Sequence, residues 1–129
     1  MLGHISFGVS DLSRSAAFYD AALGALGYVR VFTGGRAVGY GAPAASADRL
    51  LLIAQPGPLR APSVGFHLAF AAPSREAVDG FHREAMRHGG VDQGAPGLRP
   101  QYGPHYYAAF VLDPDGYKLE AKHPPPPDG

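Results

Sequence analysis

The chain has 129 residues, 46% of them hydrophobic, and eleven lysines and arginines balance eleven aspartates and glutamates. This length and composition suffice for one domain with its own core. A formal net charge of zero disfavours binding to nucleic acid or to an anionic membrane, and the lack of cysteine excludes disulfides and thiolate metal sites. We expect a soluble, cytoplasmic protein, because no apolar run is long enough to cross a bilayer or typical of a signal peptide.

The first half of the chain predicts a strand, a helix and three further strands. Ile5, Phe7 and Val9 alternate as in a strand, and Ser10 or Asp11 is suited to cap a helix. One apolar face then recurs at helical spacing before glycines end the helix. Its members are Leu12, Ala16, Tyr19, Leu23 and Leu26, and the glycines at the end of the helix are Gly24 and Gly27. Strands are predicted over 28–32, 36–40 and 49–54.

The second half follows the same order after a linker rich in proline and glycine. A strand is predicted over 64–70, and Pro73 and Ser74 start a helix that ends at 88–90. Residues 92–104, dominated by glycine and proline, predict a strand followed by a long loop. Strands over 106–112 and 117–122 flank the turn sequence 113–116 as a hairpin.

An internal repeat relates the two halves. His67 follows His4 by 63 residues, and the same offset aligns Phe18 with Phe81. The repeat predicts an α+β fold of two tandem βαβββ modules, 1–56 and 63–123, that form a cupped, mostly antiparallel sheet. These modules make one domain over 1–123, and the proline-rich tail 124–129 is expected to leave it as an extended segment.

Two segments resemble a known family over nearly the whole chain. The opening residues 4–12 with 15–19, and the closing residues 110–120, are similar to those of the vicinal oxygen chelate superfamily. That superfamily includes glyoxalase I, extradiol dioxygenases, fosfomycin resistance proteins and bleomycin-binding proteins. The resemblance is specific for the fold and much less so for the reaction, since one fold hosts several chemistries.

The resemblance implies a metal site. Its ligands fall on His4, His67 and Glu120, a set that leaves positions open for a substrate's neighbouring oxygens on an Fe, Mn, Ni or Zn ion. Glyoxalase-type members carry a fourth ligand, a glutamate, which would lie in 50–55. That stretch contains no acid, and its one polar residue, Gln55, is not counted as a ligand. This departure argues against glyoxalase I activity.

The other branches also match only in part. Extradiol enzymes carry a tyrosine shortly before the last turn, where this chain has Phe110, and they usually have two such domains. Fosfomycin transferases match in size and ligands, but they carry basic contacts beyond the final strand, where this chain has prolines and Asp128. The lyase or dioxygenase subclass therefore stays open.

Residues near the last hairpin supply further candidates. His105, Tyr106 and Tyr107 are candidate hydrogen-bond donors or general acid–base groups at the pocket rim, although strand-forming aromatics are the simpler interpretation of the tyrosines. Glu120 alternates with Lys118 and Lys122, and a solvent-facing edge strand would explain that pattern without a metal. Loop side chains suited to contact a polar or anionic substrate are Arg99, Gln101 and Tyr102. The histidines interpreted as solvated or without function are His82, His88 and His123.

The sequence therefore predicts a metal-dependent enzyme acting on a small oxygenated substrate that chelates the metal. The alternatives are a metal-free protein that binds drugs or metabolites, as bleomycin-resistance proteins do, a fosfomycin-resistance-like transferase, and an accessory domain without catalysis. The resemblance also implies a homodimer, and it leaves open whether His4 joins His67 and Glu120 of its own chain or of the partner.

Overall fold

Capping side chains fix the residues at which the two helices begin. The structure is a computed structural model that describes residues 2–44, 47–60 and 62–127. Helix α1 (Leu12–Gly24) begins where the Asp11 side chain accepts a hydrogen bond from the Arg14 amide, and α2 (Arg75–Arg87) begins where Ser74 accepts one from Ala77. The helices have equal length and start 63 residues apart, as the repeat predicted.

Each helix covers a four-stranded sheet. The first sheet has the order β1-β4-β3-β2 and consists of β1 (Ile5–Val9), β2 (Val29–Thr33), β3 (Ala37–Gly41) and β4 (Leu50–Ala54). The second sheet has the order β5-β8-β7-β6 and consists of β5 (Leu68–Ala71), β6 (Val91–Leu98), β7 (Tyr107–Leu112) and β8 (Lys118–His123). The β1–β4 and β5–β8 pairs are parallel and the other pairs are antiparallel. The predicted α+β fold with two repeated modules is confirmed.

Two predicted elements differ from the structure by more than a residue or two. Strand β5 begins at Leu68 rather than at 64, and β6 continues to Leu98 where a long loop was expected. The glycines in β6 do not end it, because its pairing with β7 slips around Gly94, and such bulges absorb extra residues within a sheet. A short 3-10 turn, Pro100–Tyr102, then leads to β7.

Strand alternation gives each sheet a helix-facing side and an open side. In the second sheet Leu119 and Val111 are fully buried on the side that faces α2. The adjacent residues Ala69, Glu120 and Phe110 lie side by side on the opposite face. The open face of the second module therefore carries the polar side chains that the sequence singled out.

A buried carboxylate ties the two modules together. Asp113, in the turn between β7 and β8, accepts a hydrogen bond of 2.6 Å from the Tyr19 hydroxyl of α1. Its other oxygen accepts the amides of Asp115 and Tyr117, each at 2.9 Å. The Tyr117 hydroxyl in turn donates to the Gly8 carbonyl of β1 at 2.8 Å. Burial raises the pKa of Asp113 and, with the nearby carboxylate, raises the pKa of Tyr19.

The described part of the proline tail, up to residue 127, is exposed and runs beside the 3-10 turn. Pro124 to Pro127 share a shallow cavity with residues 102–106, and the Lys122 ammonium lies 3.3 Å from the Pro124 carbonyl. Residues 128 and 129, including Asp128, lie outside the described residues. Among the described residues, neither helix has the length and apolar character needed to cross a membrane.

Replacement of Tyr19 by phenylalanine is expected to cost about 1–3 kcal/mol of unfolding free energy near neutral pH, because one oxygen of buried Asp113 loses its donor. In the wild type, stability should also fall as the pH rises above about 10, since the unfolded chain then ionises tyrosines whose pKa the folded state holds higher. Urea unfolding near pH 8 and near pH 11 measures both effects. A Tyr19→Phe variant with the same alkaline loss as the wild type would contradict this role for Tyr19.

Candidate functional site

The open face of the second sheet forms the floor of a cavity of about 670 Å³. Residues from β6, β7 and β8, from the 3-10 turn and from the positions just before β5 and β7 and just after β6 line it. They are His67, Gln93, Gly94, Arg99, Gln101, Tyr102, Tyr106, Phe110, Lys118 and Glu120. A concave pocket with an aromatic floor and a few convergent polar groups is typical of a small-molecule site.

Glu120 is the most deeply buried polar group in this pocket. It is 3% exposed, and it belongs to β8, which lies between β5 and β7. Its Oε1 is 3.1 Å from Nε2 of His67, and its Oε2 accepts a 2.5 Å hydrogen bond from the Tyr106 hydroxyl. The alternative of a solvent-facing glutamate on an edge strand is therefore wrong, although Lys118 and Lys122 do share its face.

The His67–Glu120 pair is suited to hold a metal ion. Two ligands about 2.1 Å from a metal and at right angles to each other lie roughly 3 Å apart. The observed 3.1 Å separation of nitrogen and oxygen matches that spacing, and the pair faces the open pocket. The Tyr106 hydroxyl holds the second carboxylate oxygen, so Glu120 would offer one oxygen rather than two.

The third predicted ligand lies elsewhere. His4 lines a separate cleft, together with Arg49 and residues 68–70, and is not among the residues around Glu120. Within residues 2–44, 47–60 and 62–127, no three histidine, aspartate or glutamate side chains come together to hold a metal. A single chain thus brings together two of the three predicted ligands.

The candidate residues that precede β7 divide between two faces. Tyr106 reaches the pocket, and burial, followed by its hydrogen bond to Glu120, raises its pKa, so the phenol stays protonated at neutral pH. Tyr107 lies on the other face, where its hydroxyl donates to Asp79 of α2 at 2.6 Å. His105 is exposed beside the tail prolines. Strand alternation places Tyr107 away from the pocket, so its predicted position at the rim is wrong.

The remaining histidines and Gln55 lie outside the pocket. His82 is not simply solvated, as its sequence position suggested, because its Nε2 is 2.9 Å from Asp92. His88 and His123 each face a backbone carbonyl, at 2.8 Å and 2.9 Å. The Gln55 side chain covers Gly8 of β1, where a Cβ would meet its amide oxygen at 2.2 Å.

Two cations and an aromatic ring, Arg99, Lys118 and Phe110, line the pocket without having been predicted as central site residues. Lys118 and Phe110 lie on the same face of the sheet as Glu120. Strand alternation together with the hairpin register predicts this arrangement. Arg99 lies with its guanidinium 5.5 Å from the Phe110 ring centre and donates to the Ala95 carbonyl. Gln93 was not predicted as a lining residue, because the glycines and prolines of 92–104 did not show which of these residues form the strand and which the loop.

Comparison with known proteins gives a consistent result. The model of the Glyoxalase/Bleomycin resistance protein/Dioxygenase superfamily matches residues 1–121. A glyoxalase/bleomycin resistance protein from Albidiferax ferrireducens T118 is 34% identical, with 95% of this chain and 97% of that chain covered and a TM-score of 0.79. No curated protein matches the chain.

Two more distant structures share the fold. A glyoxalase/dioxygenase from Nostoc punctiforme is 21% identical over 95% of this chain and 89% of its own, with a TM-score of 0.68. A glyoxalase I variant from Zea mays is 23% identical over 92% of this chain, also with a TM-score of 0.68. This chain covers 44% of the maize protein.

The pairing of Tyr106 with Glu120 is expected to appear in a double-mutant cycle on the metal-free protein. Tyr106→Phe removes the donor to a buried carboxylate and should cost about 1–3 kcal/mol in the wild type, but clearly less in a Glu120→Gln background. Urea unfolding of the four proteins measures the coupling free energy. Tyr102→Phe, at a residue 62% exposed, is the control and should change stability by at most about 0.5 kcal/mol. Additive effects of the first two substitutions would contradict the pairing.

Proposed function

Because the chain belongs to the glyoxalase/bleomycin resistance protein/dioxygenase superfamily, we propose that it is a metal-dependent enzyme acting on a small oxygenated molecule in the pocket of the second module. The observation that carries the proposal is the pair formed by His67 and buried Glu120 on the pocket floor, 3.1 Å apart. A carboxylate buried to this degree needs strong partners. A divalent cation between these two side chains would be such a partner.

The donor set favours a borderline divalent ion. One imidazole nitrogen and one carboxylate oxygen suit Fe, Mn, Ni or Zn. When bound, such an ion would act as a Lewis acid on two neighbouring oxygens of the substrate. The protein's own contribution is to orient the Glu120 carboxylate through Tyr106 and to provide a pocket that buries the apolar part of the substrate over Phe110.

Tyr106 acts as a hydrogen-bond donor in this proposal. Burial and the Glu120 carboxylate raise its pKa, and its hydroxyl donates a hydrogen bond to that carboxylate. Of the described residues that line the pocket, Glu120 is the one acid, and β4 (Leu50–Ala54), where glyoxalase-type members carry a further glutamate, is wholly apolar. These observations do not favour glyoxalase I chemistry, and the lyase or dioxygenase subclass stays open.

We propose further that the third ligand is His4 of a second copy of the chain. His4 lies away from His67 and Glu120 of its own chain, in the cleft at the end of β1. The open face of the first sheet carries the exposed apolar side chains Phe32 and Ile53, which are 49% and 39% exposed. A homodimer that buries these side chains and brings His4 to the partner's pocket would satisfy both observations.

A metal-free binding protein is the second candidate function. Two ligands alone are too few for a stable site in a monomer, and the pocket already satisfies Glu120 through Tyr106 and His67. In that case the same cavity would bind its ligand through Phe110 and the surrounding polar groups, without catalysis. Metal analysis separates the two functions.

Purified protein supplemented with Fe, Mn, Ni or Zn is expected to hold about one ion per chain, and His67→Ala and Glu120→Gln should each lose it. Elemental analysis after desalting measures the stoichiometry. His88→Ala, on the surface at the end of α2, is the matched control and should keep the metal. A supplemented wild type that holds none of these ions would overturn the enzyme proposal in favour of the binding protein.

A mixing experiment tests the shared site. His4→Ala and His67→Ala chains are each expected to bind no metal as homodimers. Unfolded and refolded together, they should recover roughly a quarter of the wild-type metal, because half of the dimers are mixed and each mixed dimer has one intact site. If the mixture binds no more metal than the separate variants, the site is not built from two chains.

A further inference from the structure

Two cations face the substrate pocket without an acidic partner. The Arg99 guanidinium and the Lys118 ammonium lie 5.5 Å and 5.3 Å from the centre of the Phe110 ring. In the part of the chain that the structure describes, no carboxylate lies within salt-bridge distance of either group. Lys122, by contrast, turns out of the pocket toward the Pro124 carbonyl.

The pocket carries an excess of positive charge. Of the described residues that line it, Glu120 is the one acid, and Tyr106 and His67 already contact its two oxygens. The other polar lining residues include Gln93 and Gln101, which are neutral amides. With Arg99, Lys118 and Glu120 all ionised, the lining has a net charge of about +1, which a bound monoanion would neutralise.

We infer that Arg99 and Lys118 form a carboxylate-binding subsite and that the substrate is a small organic carboxylate. This inference deepens the proposed function, but the subsite itself does not depend on a metal. The guanidinium presents a planar set of N–H donors that matches a carboxylate, and the ammonium adds a second charged donor.

The position of the subsite indicates the shape of the ligand. Lys118 precedes Glu120 by two residues on β8, a distance of about 7 Å along the strand. Phe110 lies beside Glu120 on the neighbouring strand and under both cations. A ligand that joins its anionic group to the oxygens near Glu120 is therefore compact, with a body about the size of one aromatic ring.

In the metal-free protein, in which the test is made, the charge balance favours a carboxylate over a phosphate ester or phosphonate. A dianion would leave net negative charge beside Glu120, whereas a carboxylate brings the lining close to neutrality. Moreover, neither helix begins at this pocket, so no helix N-terminus adds amide donors for a phosphate.

The experiment compares benzoate with benzamide, its neutral counterpart of nearly the same shape, on chelator-treated protein. Amide chemical shifts in two-dimensional NMR report binding at millimolar affinity and identify the residues involved. We expect benzoate to shift the amides of Gly94 and Arg99 and to bind at least about tenfold more tightly than benzamide, because only the carboxylate adds ion pairs with the two cations to the hydrogen bonds it accepts. Equal affinity for the two probes, or tighter binding of phenylphosphonate than of benzoate, would overturn the inference.

Variants assign the effect to the two cations. Arg99→Gln and Lys118→Gln should each weaken benzoate binding about tenfold without changing benzamide binding, and Arg99→Lys should keep part of the affinity. Arg83→Gln, an exposed cation on α2, is the matched control and should bind benzoate as the wild type does. If Arg99→Gln and Lys118→Gln both bind benzoate like this control, the subsite does not exist.

Glu120→Gln separates this inference from the proposed function. The substitution should abolish metal binding but leave benzoate binding intact or tighter, because a negative charge has left the pocket. If the wild type binds benzoate but no metal, only the enzyme proposal is overturned. Metal binding with no preference for benzoate over benzamide would overturn the carboxylate subsite alone.

Discussion

Burial of a carboxylate on a central strand is the constraint from which the site follows. Glu120 lies on β8 with strands on both sides and is 3% exposed, so bulk water solvates it poorly and its oxygens need partners within the fold. Tyr106 and His67 supply them from two other elements of the second module. Those contacts fix the carboxylate's orientation and define the floor of the pocket. The remaining polar groups of the cavity act around this fixed negative charge.

A second buried carboxylate has a structural role that complements the first. Asp113 connects the β7–β8 turn to α1 through Tyr19, and Tyr117 of the same turn contacts β1. The hairpin that carries Glu120 on its second strand is therefore anchored at its turn to the first module. Because hydrogen-bonded carboxylates in a core have few alternative geometries, this anchor makes the pocket's shape depend on both modules.

The two modules contribute different parts of the proposed site. The second module carries the pocket, with an aromatic floor, an oriented carboxylate and the cations Arg99 and Lys118. The first module carries His4 and an open apolar sheet face. Membership in the glyoxalase/bleomycin resistance protein/dioxygenase superfamily explains the scaffold, and one scaffold of this kind hosts several chemistries.

The sequence by itself determined the features that depend on neighbouring residues. Asp11 and Ser74 cap the helices, and the apolar spacing sets their buried faces, so both helices were predictable within a residue or two. Alternation along β8 likewise put Lys118 on the face of Glu120. The continuation of β6 to Leu98 was not predictable, because bulges form against a paired strand that is distant in sequence.

Tertiary structure decided which of the candidate residues meet. The sequence offered Tyr106 and Tyr107 equally, and only the register of β7 against β8 turned one toward Glu120 and the other toward α2. It offered His4 and His67 as equivalents, yet only His67 lies beside Glu120, since β5 pairs with β8 while β1 pairs with β4. Helix caps and strand alternation are local properties of the chain, whereas strand pairing and the burial of a charge are settled by contacts between residues far apart in sequence.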